Sequence, residues 1–213
     1  IRPEDFLNNF FISISNYKLD ILSHELDKAK KALGPRDLCL KVIVPLFHEI
    51  GKRVSKNQIT IAQEHTLSAL FSFHIGQMIG AHYEREPTND DLVLITTPEG
   101  EIHELGILAS SLLFVHYGIK FIFLGANLPA KSLIEAANAL KPRAILLGII
   151  KGHEISETKT LNDYLSEVIP KLNSKAEIWI GGNLRPYAAH DLGDQKIPYF
   201  PTLESFDEFL SHY

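Results

Sequence analysis

Thr96-Thr97-Pro98-Glu99-Gly100-Glu101-Ile102-His103-Glu104-Leu105-Gly106 is the stretch on which the fold turns. An apolar run before it, Leu92 to Ile95, reads as a buried strand, and a long apolar segment after it, Ile107 to Tyr117, reads as a helix. A strand-to-helix loop of this kind lies at the carboxyl edge of a parallel sheet, where open α/β folds bind ligands. His103 stands in it between two carboxylates, Glu101 and Glu104. A neutral imidazole is a common transition-metal ligand, and a carboxylate on its other nitrogen fixes the ring and raises its basicity. His103 is therefore the candidate metal ligand, and Glu101 and Glu104 are both candidates to support it.

Downstream, strands and helices alternate. Leu92–Thr96 is expected as the first strand, with Ile102–Tyr117 as its helix and Gly118 closing it. Lys120–Leu124 follows as a strand, with a loop at Gly125-Ala126-Asn127-Leu128-Pro129, then a helix over Ala130–Leu140. Ala144–Ile149 is the third strand, Ser156–Leu172 a helix, and Ile178–Ile180 the fourth strand, running into a Gly181-Gly182-Asn183 loop. A short helix over Arg185–His190, a last strand over Ile197–Phe200 and a closing helix over Leu203–Tyr213 complete the pattern. Such alternation implies a parallel sheet covered on both faces, here a five-stranded flavodoxin-like (Rossmann-like) one. Its loops after strands one, three and four converge: the histidine loop, Gly148–Glu154, and Gly181–Asn183. Gly181 and Gly182 permit a ligand to approach the backbone closely, and His153 is a further candidate lining residue.

Upstream the period is helical. Arg2–Ile14, Tyr17–Leu33, Asp37–Val54 and Ile61–Tyr83 each place apolar residues at helical spacing, with Gly34-Pro35 as a stop and Thr60 as a cap. Pro45 should kink or break the third helix. Four helices with short connections predict a four-helix bundle over residues 1–84. The polar, turn-rich Glu84–Asp91 is the boundary before a sheet domain at 91–213. Near the start of the fourth helix Glu64 and His65 are adjacent and point about 100° apart, so one can face a ligand while the other makes a support bond.

The 213 residues are 45% hydrophobic and 22% charged, with net charge −5. Lys and Arg form no block, so an electrostatic footprint for nucleic acid is lacking. The single cysteine, Cys39, excludes an internal disulfide and reads as a small core residue. No apolar run reaches the ~18 residues of a membrane span and no signal peptide is visible, which leads us to expect a cytoplasmic protein. The first residue is Ile1 rather than Met, which suggests a piece of a longer chain. A dinucleotide fingerprint, a Walker loop and a Gly-x-Ser-x-Gly elbow are all missing, and no catalytic role is assigned.

A helical bundle followed by a flavodoxin-like domain with x-His-x-x-Gly after strand one resembles the cobalamin-binding module. The family's usual loop is Asp-x-His-x-x-Gly. The variant here, Glu101-Ile102-His103-Glu104-Leu105-Gly106, is similar to that of the light-responsive MerR-type transcription regulators, which use adenosylcobalamin. The resemblance implies that His103 is the lower axial ligand of cobalt and Glu101 its hydrogen-bond partner. It also implies that Gly106, Gly181 and Gly182 border the buried nucleotide tail, and that Glu64 and His65 face the upper side of the corrin from the bundle, which caps the cofactor.

Two departures stand out. Where those regulators carry a tryptophan and then a histidine, ten residues before the glutamate of the Glu-His pair, this chain has Val54 and Ser55. Trp179, the only tryptophan, lies in strand four and cannot stand in. A serine that contacts the nucleotide tail is replaced by Gly148, followed by Ile149 and Ile150.

The resemblance thus implies a cobalamin sensor with an atypical upper face. Adenosylcobalamin is the expected form, with methylcobalamin or hydroxocobalamin as alternatives. Contact with DNA is expected only through a missing upstream domain, and homo-oligomers are expected. The rivals are a corrinoid carrier for methyl transfer, and a related sensor or interaction domain that has lost cobalamin.

Overall fold

The computed structural model describes residues 10–84, 91–150, 160–173, 175–182 and 197–213. Its internal contacts divide the chain into two units, Ile1–Glu86 and Pro87–Tyr213. Among the described residues no helix is long and apolar enough to cross a membrane.

The first unit is helical. Residues 10–15 form a helical segment, followed by α1 (Leu19–Ala32), α2 (Pro35–Leu38), a π-helical stretch (Cys39–Ile43), α3 (Val44–Ser55) and α4 (Ile61–Tyr83). Where the sequence led us to expect a kink at Pro45, the chain instead widens. The Val44 N–H reaches back five residues to the Cys39 carbonyl. Proline cannot donate the next bond, and its ring would collide with the carbonyl four residues back. One wide turn removes that collision while the helix continues.

Thr60 caps α4 with a reciprocal capping box. Its hydroxyl accepts from the Gln63 N–H, and the Gln63 side chain accepts from the Thr60 N–H. Phe10, Ile14, Leu22, Leu26, Leu46, Leu67 and Phe71 are fully buried at the centre. Phe71 stacks on Phe10 and meets Phe47 edge-on.

The second unit holds β1 (Val93–Pro98), α5 (Leu105–Tyr117), β2 (Phe121–Leu128), α6 (Ala130–Leu140), β3 (Ala144–Ile149), α7 (Leu161–Val168) with a 3-10 turn (Ile169–Lys171), β4 (Glu177–Gly182), β5 (Tyr199–Phe200) and α8 (Leu203–Leu210). All strand pairs are parallel, in the order β2-β1-β3-β4-β5. This is the expected flavodoxin-like sheet. One face packs Leu133, Ala137, Tyr164, Leu165 and Val168 against Leu94, Ile145 and Leu147. Elsewhere in the unit Trp179 is fully buried and meets Phe206 and Phe209 edge-on, so it is a core residue. Gly118 ends α5 in the left-handed conformation, as a C-terminal glycine should.

Four expectations need correction. The strand β2 runs on through Gly125 and Asn127, which the sequence placed in a loop. Thr96 Oγ1 donates to the Gly125 carbonyl at 2.8 Å, and the Asn127 N–H donates to Thr97 Oγ1 at 2.7 Å. These side chains replace ladder bonds where the register shifts. Likewise α5 begins at Leu105 and leaves 101–104 non-helical.

Gly181 and Gly182 end a strand rather than form a loop, since they pair with Gly148 and Ile149. The helix expected from Ser156 starts at Leu161, capped by Thr160 through Asp163. His153, Asn183, the short helix over Arg185–His190 and the first part of the first helix lie outside the described residues.

Candidate functional site

The strand order reverses between β1 and β3, which makes the crevice beyond their carboxyl ends the topological switch point. The histidine loop leaves β1 at that point. Glu101 is fully buried, and a buried carboxylate needs partners. It has three. Oε1 accepts the His103 N–H at 3.0 Å and lies 2.5 Å from His103 Nδ1, while Oε2 accepts the Ile150 N–H at 2.9 Å. One side chain thus ties the loop after β1 to the residue after β3.

A carboxylate can only accept, so the pairing puts the ring proton on Nδ1 and leaves the Nε2 lone pair free. The His103 side chain is 49% exposed. Ile102 and Ile150 are exposed apolar residues of the same loops. Glu104, the other candidate support, occupies the N-cap of α5 without a side-chain cap bond; among the described residues Glu101 is the carboxylate bonded to the ring.

The backbone of the loop is anchored in turn. Thr97 Oγ1 donates to the Glu101 carbonyl at 2.5 Å, and the Gly100 N–H donates to Asn127 Oδ1 at 2.7 Å. Sequence reading missed Thr97 and Asn127. The signal available was Asn127 itself, a residue type that tolerates the left-handed conformation it adopts here (φ 59°).

The four glycines differ in what requires them. Gly182 has φ 116°, and a Cβ there would lie 1.9 Å from the Ile149 carbonyl oxygen, so the chain's own path demands glycine. At Gly148 a Cβ would fall 2.2 Å from Ile107 Cγ2; the isoleucine fills the space a side chain would need. Among the described residues no atom lies within 4 Å of such a Cβ at Gly106, and at Gly181 the near atom is Leu146 Cδ1 at 3.7 Å. Neither is forced by its neighbours, and both leave room at the sheet edge.

In the helical unit Glu64 Oε2 lies 2.5 Å from His65 Nδ1, and Glu64 Oε1 accepts the Ser68 hydroxyl at 2.6 Å. Glu64 therefore makes the support bond to His65, whose ring is largely exposed. Val54 is half-buried and Ser55 exposed, its hydroxyl donating to the Lys52 carbonyl. Among the described residues no group of three or more His, Cys, Asp or Glu could hold a metal ion.

Residues 19–73 match a family model described as the B12 binding domain. Over 183 residues the chain is 27% identical to the HTH-type transcriptional repressor CarH of Myxococcus xanthus, covering 85% of this chain and 59% of that protein. It is 21% identical over 187 residues to the dimethylamine corrinoid protein of Methanosarcina barkeri, with 85% of each chain covered. The chain therefore spans less than two thirds of the repressor's length. The Methanosarcina barkeri monomethylamine corrinoid protein superposes with a TM-score of 0.70 at 16% identity, over 99% of both chains. At that identity the likeness concerns the fold.

Proposed function

We propose that this chain is the cobalamin-binding sensor part of a transcription regulator, in which the His103 imidazole would hold the cobalt. The observation that carries the reading is the triple commitment of Glu101. A fully buried carboxylate fixes the His103 ring by Nδ1 and leaves Nε2 as the ring's available lone pair, on a side chain that is 49% exposed at the switch point. A lone imidazole holds a bare ion poorly, and no further protein ligands accompany it among the described residues. A metal whose equatorial positions are already filled by a macrocycle needs only one such ligand.

Gly106 and Gly181, which the described residues leave uncrowded, would border the tail beside the sheet edge. Cobalamin would supply the cobalt centre and its upper organic ligand. The chain's own residues would bind it, orient the imidazole and keep its proton on Nδ1. In this reading Glu64, His65, Val54 and Ser55 contribute from the helical unit toward the upper face, with adenosylcobalamin the expected form. Val54 and Ser55 give that face neither an indole nor an imidazole, so the response to light is altered or lost.

The DNA-contacting part of the regulator and its oligomers belong to the same proposal, supported by the likeness to a repressor. Reconstitution tests the core of it. The wild-type chain should retain a corrinoid spectrum after gel filtration, and His103→Ala should lose it. A wild-type chain that stays colourless with adenosyl-, methyl- and hydroxocobalamin overturns the reading.

A corrinoid carrier for methyl transfer is the second reading, favoured by the match to the dimethylamine corrinoid protein over 85% of each chain. Transfer of a methyl group from the loaded chain to a thiol acceptor would select it.

A further inference from the structure

Ser23 and Asp27 lie one turn apart on α1, so their side chains share a face of that helix. His74 of α4 reaches both. Its Nε2 is 3.0 Å from Ser23 Oγ, and its Nδ1 is 3.4 Å from Asp27 Oδ1. The ring is buried, whereas Ser23 is half-buried and the Asp27 side chain is 44% exposed. A carboxylate can only accept, which puts the ring proton on Nδ1 and turns the Nε2 lone pair to the Ser23 hydroxyl. Asp27 and Lys30, both of α1, are the charged groups that act on the ring, and burial with the Lys30 ammonium outweighs Asp27 and holds His74 below the ordinary histidine pKa. It is therefore a neutral base at pH 7. Other serines are placed differently. Ser55, Ser110 and Ser211 donate to backbone carbonyls, which cannot take up a proton.

We infer that Ser23 is a nucleophile that takes acyl groups from activated esters, with His74 as its general base and Asp27 as the positioning residue behind the ring. A nucleophile bonded to a base that a third group orients is the arrangement this chemistry needs. Ser23 Oγ bonds to the acyl carbon as its proton passes to His74 Nε2. The bond from that carbon to the leaving oxygen breaks, and the oxygen departs with the electron pair. The imidazolium then returns its proton to the leaving group or to water. Nδ1 is buried and has no hydrogen-bond partner among the described residues, so its attraction to Asp27 grows as the ring becomes charged. That contact favours the transition state over the resting chain. Ser23 lies inside α1, where backbone N–H groups serve the helix, so the ester itself must supply a good leaving group.

The test is brief exposure of the full chain to p-nitrophenyl acetate, followed by an acid quench and peptide mapping by mass. Ser23 should become acetylated about 100-fold faster than the exposed Ser55 and Ser211 in the same sample, and His74→Gln should slow it by about 100-fold or more. Asp27→Asn should slow it less and move the midpoint of its pH profile downward, because the carboxylate raises the proton affinity of the ring. A merely structural aspartate would leave that midpoint where it is.

Acetylation of Ser23 no faster than that of Ser55 and Ser211 overturns the inference, as does a rate that His74→Gln leaves unchanged. An unmoved midpoint in Asp27→Asn removes Asp27 from its role. If His74→Gln does not fold, the comparison among serines of the wild-type chain decides.

Discussion

Glu101 and His103 are joined twice, through the imidazole Nδ1 at 2.5 Å and through the backbone N–H at 3.0 Å. The same carboxylate holds the Ile150 N–H. The ring orientation is thereby set by a buried group that also spans the strand-order reversal of the sheet.

Glu101→Gln removes this arrangement with little change of shape. The amide group would meet an N–H donor, either from Ile150 or from the ring, so one tether is lost. Corrinoid affinity should fall about 10–100-fold, read by absorbance titration. Glu104→Gln should leave it unchanged, and equal effects of the two substitutions would contradict the role given to Glu101.

The glycines should separate into two classes. Gly182→Ala meets both a positive φ and the Ile149 carbonyl, and should cost about 1–3 kcal/mol or more by thermal denaturation. Gly106→Ala enters open space in the first turn of α5 and should stabilise the chain by a few tenths to about 1 kcal/mol. Its corrinoid affinity should nevertheless drop. A Gly106→Ala chain that is both stabler and equally tight would show that the room there is not used.

Thr97 is fully buried and links β1, β2 and the histidine loop. Thr97→Val keeps the shape and strips the hydroxyl, while the Asn127 N–H keeps its direct bond to the Glu101 carbonyl at 3.1 Å. Destabilisation of about 0.5–1.5 kcal/mol is expected from chemical denaturation, with faster hydrogen exchange at residue 127.

His74 gives the helical unit an acid-sensitive point. It is buried, its Nε2 hydrogen-bonded with the Ser23 hydroxyl at 3.0 Å. Burial pushes its pKa below the ordinary histidine value, and the Lys30 ammonium adds to this against the opposing pull of Asp27. The unfolded chain takes up a proton near pH 6.5 that the native histidine refuses. The contribution is thus complete above that pH and declines as pH falls below it, by at most about 1.4 kcal/mol per pH unit. Melting followed by helical circular dichroism from pH 7.5 to 5 should record the decline, and His74→Gln should flatten it.

Much of the sheet half was legible because its signals are local. Apolar runs of strand length, Gly118 after a helical segment, and a Glu-x-His spacing that lets one side chain reach the next but one all lie within a few residues of each other. What escaped depends on contacts across the chain. Gly125 and Asn127 read as a loop because nothing nearby announces that Thr96 and Thr97, some thirty residues earlier, will hold them in a strand. The choice between Glu101 and Glu104 was open in the sequence, since both flank His103. It is decided by the Ile150 N–H, which no pattern near residue 101 reveals. The reason for Gly148 lies in Ile107, on another element altogether.

The π-helical stretch Cys39–Ile43 has a consequence for everything that follows it in the same rod. A wide turn accommodates an extra residue, and each residue on an α-helix turns the azimuth by about 100°. The compass bearing of Val54 and Ser55 at the far end of α3 is therefore set at Cys39–Ile43 as well as by their own identity. Trimming one residue from that turn would swing both of them by more than a quarter of a revolution while leaving their sequence neighbours untouched. Phase, as much as chemistry, decides what the end of α3 presents.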